Sequence, residues 1–342
     1  MNETPVLDTL ALDVGGSHVT AARVGFGPQG PETGPCVRLH LDEHAPADEL
    51  LDTFAHAALM AVDGPSLDGS ALGTRDLAAI GVGMPGPFDY VQGTGRFTGK
   101  FLALNGVDVG AGLRARLPAL SELPLAFLND AAAFALGEAE LHGDAGRTGR
   151  TLGVTLGTGL GSGFVEADRV RMGGAGVARE GQIGWEPYLD ATAEDYVSTR
   201  RLISDYASLS GERLRPVEIS ARARAGDAHA QAVFAAYGRH LGSVLAEWVR
   251  AFSPGRIVLG GNLCAARKLF LPELETALRG KLDGQARPDL DFSADGERAA
   301  LVGAAWSVHG RLPTLLSSQR SSEPQEAEGG SGLGLEPRLP SP

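Results

Sequence analysis

Residues 124–141 read PLAFLNDAAAFALGEAEL. The apolar residues 125–128 predict the end of a buried strand, and the alanine-rich run Ala131–Leu141 predicts a helix. Either Asn129 or Asp130 would be the N-cap, because short polar side chains accept hydrogen bonds from the first free amides of a helix. An acid at such a junction lies where a parallel sheet opens its ligand crevice. This stretch alone leaves open whether Asp130 has a chemical role or only caps the helix.

Two glycine-rich segments have the same layout, a strand, a glycine turn and a second strand. They read ALDVGGSHVTAARVG and TLGVTLGTGLGSGFV, and they lie about 140 residues apart, which suggests a duplicated α/β unit. Amides in such turns point into one concavity and can bind phosphate, whereas a plain hairpin is the alternative. Asp13 ends the first strand, and its carboxylate could hold Mg²⁺ directly or through water. The candidate phosphate-binding residues in the two turns are Gly15, Gly16, Ser17, Gly157, Thr158 and Gly159.

The stretch 93–110, GTGRFTGKFLALNGVDVG, has no clear strand or helix pattern. A segment of this length inside a compact domain is usually functional or disordered. Its residues Phe97, Phe101 and Leu104 argue against disorder, because large apolar side chains favour burial. Asn105 is therefore a candidate for hydrogen bonding to a polar ligand, with an Asx turn as the alternative.

Composition excludes several classes of protein. The formal net charge of the 342 residues is −12, which argues against a surface for nucleic acid or anionic membrane. The two cysteines, Cys36 and Cys264, lie too far apart in sequence to suggest a disulfide framework or a cysteine zinc site. No apolar run approaches the ~18 residues of a membrane span, and the N-terminus does not resemble a signal peptide. A cytoplasmic location is the expectation.

Six segments, in order from Leu10 to Ala305, resemble the motifs of the ROK family (repressors, uncharacterised frames and sugar kinases) within the hexokinase–actin–Hsp70 ATPase superfamily. They read LALDVGGSHVTAARV, GVGMPGP, LNDAAAFALGE, LGTGLGSGFV, IVLGGNL and LVGAAW. The resemblance implies an α/β protein with the two-domain actin-like ATPase (ribonuclease H-like) fold, a mixed sheet in each domain and an active-site cleft between them. The small domain would comprise residues 1–122 and 298–315, and the large domain residues 123–297. The composition of residues 316–342 predicts a disordered tail.

The resemblance also implies an activity, an ATP-dependent transfer of phosphate to a hexose, with O6 as the expected acceptor. Asp130 would be the general base, and Asp13 would hold a transient Mg²⁺ beside the phosphates. Adenosine would lie near Gly260 and Gly261. The residues implied or suggested to contact the sugar are Asn105, Asn129, Asp130, Glu194 and either Glu180 or Gln182. The expected partners are a hexose, ATP and a second copy of the chain in a homodimer.

The sequence departs from the family pattern in two places. The first glycine turn usually ends Gly-Gly-Thr-Lys, but here His18 stands in place of the lysine, and a neutral imidazole cannot replace a fixed charge. Most members also carry a Gly-Glu-x-Gly-His segment and a cysteine cluster that hold a structural zinc. Here Trp185 stands at the histidine position and the cysteines are missing, so we expect no structural zinc.

These departures leave two questions open. One is whether Trp185 and neighbouring aromatic residues form a cluster that braces the sugar loop in place of the metal, or whether Trp185 only stacks at the cleft mouth or packs in the core. The other is whether the protein is a kinase or a catalytically impaired sugar-binding or regulatory protein. Which sugar is bound is also open, because kinases of glucose, mannose, fructose and N-acetylated hexosamines share these motifs.

Overall fold

The computed structural model describes residues 8–63, 77–143 and 149–310. The tail predicted to be disordered, residues 316–342, lies outside these ranges. Within them, none of the helices has both the length and the apolar character that a membrane span requires.

The first half of the chain builds a six-stranded mixed sheet. Its secondary structure comprises β1 (Asp8–Val14), β2 (His18–Gly27), β3 (Gly30–Thr33), β4 (Val37–His40), α1 (Ala47–Val62), β5 (Leu77–Met84), β6 (Phe88–Asp89), β7 (Thr94–Gly95), α2 (Val109–Arg116) and β8 (Leu125–Asn129). The strand order is β3-β2-β1-β5-β8, with β4 also paired to β2. Strand β1 is antiparallel to β2 and parallel to β5, which is parallel to β8. The sheet is therefore mixed, as predicted.

The second half repeats this arrangement. After α3 (Asp130–Leu141) its secondary structure comprises β9 (Arg150–Leu156), β10 (Leu160–Glu166), β11 (Arg169–Arg171), β12 (Pro187–Tyr188), β13 (Ala191–Thr192), α4 (Ala193–Tyr196), α5 (Thr199–Ser210), α6 (Pro216–Arg224), α7 (Ala228–Phe252), β14 (Arg256–Gly260), α8 (Arg267–Leu282), β15 (Asp289–Phe292) and α9 (Gly296–His309). The order β11-β10-β9-β14-β15 and the strand directions match those of the first sheet. The predicted structural repeat is confirmed.

One predicted helix is interrupted. The sequence predicts a single helix over residues 193–206, but α4 ends at Tyr196 and α5 begins at Thr199. Ser198 adopts an extended conformation between them, and its hydroxyl accepts a hydrogen bond from the Arg201 amide at 3.3 Å. Ser198 is thus a second N-cap inside the segment, and an N-cap residue does not have helical backbone angles.

Helix α3 lies between the two halves of the molecule. It packs on α9 on one side and on β9 and β10 of the second sheet on the other. Nearly all of its residues are buried, although few are large, because alanine allows close approach on every face. Ala135 lies directly over Gly153 and Gly163, where the strands carry no side chain. The alanine-rich composition of this helix therefore reflects its position between two packed surfaces.

Strand pairing moves the predicted domain boundary. A boundary at residue 123 assigns β8 to the large domain, but β8 forms a parallel ladder with β5, from the Ile80–Leu125 pair to the Met84–Asn129 pair. Residues 125–129 therefore belong to the first sheet, and the second half begins with α3. The prediction was wrong here because an apolar strand of five residues does not reveal which sheet it joins. Helix α9 packs on β1 and β5 of the first sheet as well as on α3.

Candidate active site

Three neighbouring strands of the first sheet end at one edge. Strand β1 runs to Val14, just after Asp13, while β5 leads into Pro85 and β8 ends at Asn129. Because these strands are parallel, their carboxyl ends open on the same side of the sheet, where α/β proteins bind ligands. Asp13 and the Asn129–Asp130 junction therefore face the same crevice.

Asn129, and not Asp130, is the N-cap of α3. The Asn129 Oδ1 atom accepts a hydrogen bond from the Ala132 amide at 3.1 Å. Asp130 occupies the first helical position, where its Oδ1 accepts from the Ala131 amide at 2.8 Å. Burial raises the pKa of the Asp130 carboxyl, while the hydrogen bond from Ala131 and the charge of Lys100 act in the opposite direction. The cap is thus provided by its neighbour, and Asp130 itself lines the cleft.

Two adjoining cavities meet at Asp130. The first has a volume of about 430 Å³ and the second about 660 Å³. The residues that line both are Asp130, Thr155, Gly261 and Asn262. A ligand in either cavity can therefore reach the same carboxylate.

The first cavity carries an excess of negative charge. Its lining includes Asp13, Asp130 and Glu297, together with Gly15 and the two glycines of the adenosine motif, Gly260 and Gly261. The pKa of Asp13 is raised to about 7, mainly by burial and then by the charges of Asp130 and Glu297. Carboxylates that disfavour one another's ionised forms in this way attract a divalent cation, which prefers oxygen ligands. The residues present thus fit the Mg²⁺ that accompanies a nucleotide triphosphate, with Asp13 as the group that would hold it.

Replacing Asp13 with asparagine is expected to stabilise the protein above neutral pH. The native carboxyl has a higher pKa than the ordinary value of 3.8, so its contribution to stability is lost as pH rises from about 4 to about 7. The asparagine side chain has no charge to bury. We expect the Tm of Asp13→Asn to exceed that of wild type by ~2 °C or more near pH 8 and by less near pH 5. A variant with a lower Tm at the higher pH would show that the ionised carboxylate is well solvated in the native protein.

The imidazole of His18 does not supply a fixed charge to the first glycine turn. Burial and the neighbouring Arg38 lower the pKa of His18, and the charge of Glu297 only partly offsets them. Its Nε2 atom lies 3.8 Å from a carboxyl oxygen of Glu297. The expectation that His18 is mainly neutral at pH 7 is consistent with this environment.

A chain of hydrogen bonds forms the inner wall of the second cavity. Gln182, which is 7% exposed, donates from Nε2 to Asn129 Oδ1 at 3.1 Å. The Asn129 amide in turn donates to the Tyr90 hydroxyl at 3.1 Å, and that hydroxyl donates to the Met84 carbonyl at 3.2 Å. The side chains of Asn129 and Gln182 are therefore held in one orientation at the cavity wall, which is what recognition of a polar ligand requires.

Glu194 joins the second glycine turn to this cavity. Its Oε2 accepts a hydrogen bond from the Leu160 amide at 3.0 Å, and its Oε1 accepts from Arg200 at 3.0 Å. The turn itself lines the cavity through Gly157, Thr158 and Gly159. The predicted phosphate turn and the predicted sugar residue Glu194 thus lie side by side.

Two predicted sugar-contacting residues do not line either cavity. Glu180 is exposed and has a left-handed backbone conformation with φ of 54°, whereas Gln182 lines the second cavity. The structure thus favours Gln182 of the two alternatives. Asn105 is also exposed, and its side chain accepts from the Phe97 amide at 2.6 Å and donates to the Phe97 carbonyl at 2.9 Å. Both polar groups of the Asn105 side chain thus hold the irregular loop, and the ligand role expected for Asn105 stays a prediction.

The aromatic cluster of the 185–196 region does not include Trp185. Tyr188, Tyr196 and His240 contact one another with ring centroids 4.9–5.8 Å apart, and the Tyr188 hydroxyl lies 3.1 Å from His240 Nδ1. Trp185 instead lines the second cavity, next to Gly86. The structure thus favours the interpretation of Trp185 as a residue of the cleft, with the bracing cluster formed by its neighbours.

Among the described residues there is no group of three or more histidine, cysteine, aspartate or glutamate side chains arranged to hold a metal ion. The absence of a structural zinc stays a prediction.

Sequence reasoning missed several residues of the cleft. Glu297 lies in the first turn of α9, and Arg38 pairs with it at 3.3 Å. Because these two residues lie in distant segments, no local sequence pattern indicates that both belong to the cleft. Lys100 and Arg200 line the second cavity. A signal did exist for Lys100, since it is one of three lysines in the chain and lies within the irregular stretch 93–110.

Comparison with known proteins gives concordant results. A model of the ROK family matches residues 9–311. A glucokinase of Streptomyces coelicolor is 28% identical over 325 residues, which cover 87% of this chain and 96% of that protein. An N-acetylmannosamine kinase of Haemophilus influenzae is 25% identical over 316 residues, which cover 87% and 94%. The crystal structure of the ROK hexokinase from Thermus thermophilus matches with a TM-score of 0.74 at 25% identity and covers 90% of this chain and 100% of that one. With its two repeated mixed sheets and the order of its motifs, the chain has the actin-like ATPase fold and belongs to the ROK family.

Proposed function

We propose that this protein is an ATP-dependent sugar kinase that transfers the γ-phosphate of ATP to a hexose hydroxyl, with O6 as the acceptor and Asp130 as the general base. The observation that carries this proposal is the position of Asp130 at the junction of two cavities. Phosphoryl transfer needs two ligands held in line, with a base beside the attacking hydroxyl. A carboxylate that faces both ligand sites satisfies this requirement.

The environment of Asp130 suits a base. A sugar hydroxyl loses its proton only far above neutral pH, so its attack on phosphorus benefits from a base that accepts the proton as the bond forms. Burial raises the pKa of Asp130 from its ordinary value, which makes the carboxylate a better proton acceptor. The hydrogen bond from the Ala131 amide holds the carboxyl group in place beside the substrate site.

The two cavities differ in a way that assigns the ligands. The first has the adenosine glycines Gly260 and Gly261 and the carboxylate Asp13, and we assign it to ATP and its Mg²⁺. The second has the hydrogen-bonding side chains Asn129, Gln182 and Glu194, and we assign it to the sugar. The glycine turns around Gly15 and Gly157 flank the junction, where their amides would neutralise charge on the transferred group.

We also propose that the two halves move as domains that close on the substrates, with the boundary at α3. Closure would exclude water, which otherwise competes with the sugar as the acceptor of phosphate. A homodimer is part of the same proposal, by resemblance to the family.

The test is a coupled ATPase assay of purified protein with a panel of hexoses and N-acetylated hexosamines, followed by identification of the phosphorylated product. We expect one or a few hexoses to stimulate ADP release and to yield a 6-phosphate. Sugar binding without ADP release would support the alternative, a catalytically impaired sugar-binding protein, which the neutral His18 favours. The absence of both sugar binding and ADP release would contradict the proposal.

Trp185→Ala is expected to raise the KM for the sugar several-fold and to leave the KM for ATP nearly unchanged. The indole lines the second cavity beside Gly86 and is not among the residues that line the first cavity. A large aromatic side chain provides a flat apolar surface for a ligand, and its loss should weaken ligand binding in that cavity. Steady-state kinetics with each substrate varied in turn gives the comparison, with Tyr188→Phe, which keeps the aromatic cluster, as the control. Equal effects on both KM values would rule out a role confined to the sugar.

A further inference from the structure

The two glycine turns contain no side chain with a fixed positive charge. The first turn provides Gly15, Gly16 and Ser17, followed by His18, whose pKa is lowered by burial. The second provides Gly157, Thr158 and Gly159. Backbone amides alone bind phosphate, but transfer of a γ-phosphate spreads additional charge over its oxygens, which a cation stabilises. If the proposed function is correct, a side-chain cation that acts beside the Mg²⁺ comes from another part of the chain.

Lys100 reaches the first glycine turn. A Cβ atom built on Gly16 would lie only 2.2 Å from Lys100 Nζ, so the ammonium group lies directly against the Gly16 backbone. Lys100 also lines the second cavity together with Asp130 and the turn Gly157–Gly159. Its charge acts on Asp130, since it is among the factors that oppose the raised pKa of that carboxyl. The ammonium is therefore close to a phosphate turn and to the base at the same time.

The loop that carries Lys100 is fixed on both sides. Phe97 is 4% exposed and Phe101 is fully buried, so aromatic anchors flank residues 98–100. The side chain of Asn105 holds the backbone of Phe97 through two hydrogen bonds. The Phe101 amide donates to the Glu43 carbonyl at 3.0 Å. This arrangement explains the use of Asn105 and keeps Lys100 within reach of the cleft.

A second contact links this loop to the glycine turn. Residues 41–43 lie between them. The Leu41 amide donates a hydrogen bond to the Ser17 carbonyl at 2.9 Å, and the Glu43 carbonyl accepts one from the Phe101 amide. The backbone thus connects the turn that would bind phosphate to the loop that carries the cation, and the position of one depends on the position of the other.

The ammonium group is free to move from its present partner. Lys100 Nζ lies 3.6 Å from Glu43 Oε2, which is longer than a hydrogen bond, and the Lys100 side chain is 44% exposed. An exposed pair of this kind is worth little in free energy. Arg38 and Arg200, which also line the cavities, lie closer to their carboxylate partners, at 3.3 Å from Glu297 and 3.0 Å from Glu194. Lys100 is thus the cation most easily transferred to a phosphate.

We propose that Lys100 provides the fixed positive charge for the transferred phosphoryl group, in place of the residue at position 18 of the first glycine turn. The ammonium exchanges Glu43 for the γ-phosphate oxygens when the nucleotide binds. Lysine suits this role because a compact ammonium on a flexible stem can follow a group that moves during transfer. This assignment rests on the proposed kinase function and adds a residue to it.

The experiment compares Lys100→Met with Lys100→Arg, and uses Lys268→Met, on the exposed surface of α8, as the matched control. We expect Lys100→Met to lower kcat/KM for ATP at least ~10-fold, while sugar affinity without nucleotide changes less than ~3-fold. Lys100→Arg should recover much of the loss, and Lys268→Met should match wild type. If Lys100→Met does not fold, Lys100→Gln replaces it.

Calorimetric binding separates this proposal from the kinase assignment. A non-hydrolysable ATP analogue and AMP are titrated into each variant, and neither titration requires turnover. Lys100→Met should lose affinity for the triphosphate analogue but not for AMP, which lacks the outer phosphates. This result supports the role of Lys100 in phosphate binding even if the wild type phosphorylates no sugar. Equal affinity of Lys100→Met and wild type for the analogue, or a loss confined to the sugar, would overturn the proposal.

The pH dependence of kcat provides a further readout. Loss of the Lys100 charge should raise the pKa of Asp130, because that charge opposes the effect of burial. The acidic limb of the profile should therefore move to higher pH in Lys100→Met and not in Lys268→Met. A purely structural role for Lys100 would reduce the rate without moving this limb.

Discussion

Replacement of Asp130 with asparagine is expected to lower kcat by ~10²-fold or more, with sugar affinity nearly unchanged. Asparagine retains an oxygen that can accept the Ala131 amide, so the start of α3 should be preserved. It cannot accept a proton from a sugar hydroxyl. Steady-state kinetics together with calorimetric sugar binding tests this expectation, since the loss should appear in turnover and not in binding.

Asp108→Asn is the matched control for Asp130→Asn. Asp108 is the N-cap of α2, where its Oδ1 accepts from the Ala111 amide at 2.8 Å, and it lines neither cavity of the cleft. The Asp108→Asn substitution should leave kcat within a few-fold of wild type, because the same chemical change there alters only a helix terminus. If Asp130→Asn also retained a kcat within a few-fold of wild type, Asp130 would have a structural role alone.

The pH profile of the wild type should agree with this assignment. A base acts only when deprotonated, so turnover should fall as pH decreases through the pKa of Asp130. Burial raises that pKa, and the acidic limb should consequently lie above the range of an ordinary aspartate. In Asp130→Asn the residual activity should lack this limb.

Gly303→Ala is expected to produce a large loss of stability. Helices α3 and α9 approach so closely that a Cβ on Gly303 would lie 1.8 Å from the Ala133 carbonyl oxygen, and one on Gly137 would lie 1.7 Å from that of Ala299. These neighbours are backbone atoms and cannot rotate away. Such overpacking costs ~1–3 kcal/mol or more, and we expect Tm to fall by several degrees.

Activity should fall together with stability in Gly303→Ala. A shift of α9 away from α3 moves the helix that begins with Asp130, and a small displacement of a catalytic group reduces the rate strongly. The control is Gly280→Ala in α8, where a Cβ meets nothing within 4 Å. Alanine there should raise stability by ~0.5–1 kcal/mol, since glycine is unfavourable within a helix. A Gly303→Ala protein as stable as wild type would show that the two helices can separate without cost.

The relation between sequence and fold is clear at the two glycine turns. Each is flanked by strands with a run of apolar residues, and both hairpins formed where the pattern predicts them, as β1–β2 and β9–β10. Local chemistry is sufficient here, because a hairpin is made by residues that are close in sequence. The same is true of the alanine-rich helix that begins at Asp130, although the sequence left open whether Asn129 or Asp130 caps it.

The local sequence pattern did not predict a contact wherever a residue's partner is distant in sequence. Strand β8 joins the first sheet because its partner β5 lies about 45 residues earlier, a pairing that no local signal encodes. The side chain of Asn105 holds its own loop, because both of its polar groups hydrogen-bond to the backbone of Phe97. Side-chain chemistry alone cannot tell a ligand contact from a loop contact, because an amide forms the same hydrogen bonds to either.

The sequence by itself determined the family, the fold class, the order of the strands around each glycine turn and the acid at the start of α3. Only the tertiary structure decided which residues share the cleft. Glu297 and Arg38 meet there from opposite ends of the chain, and Lys100 reaches Gly16 through a loop held by buried phenylalanines. The physical reason is that backbone propensity and hydrophobic period act over a few residues, whereas electrostatic environment depends on every charge that folding brings within several ångströms.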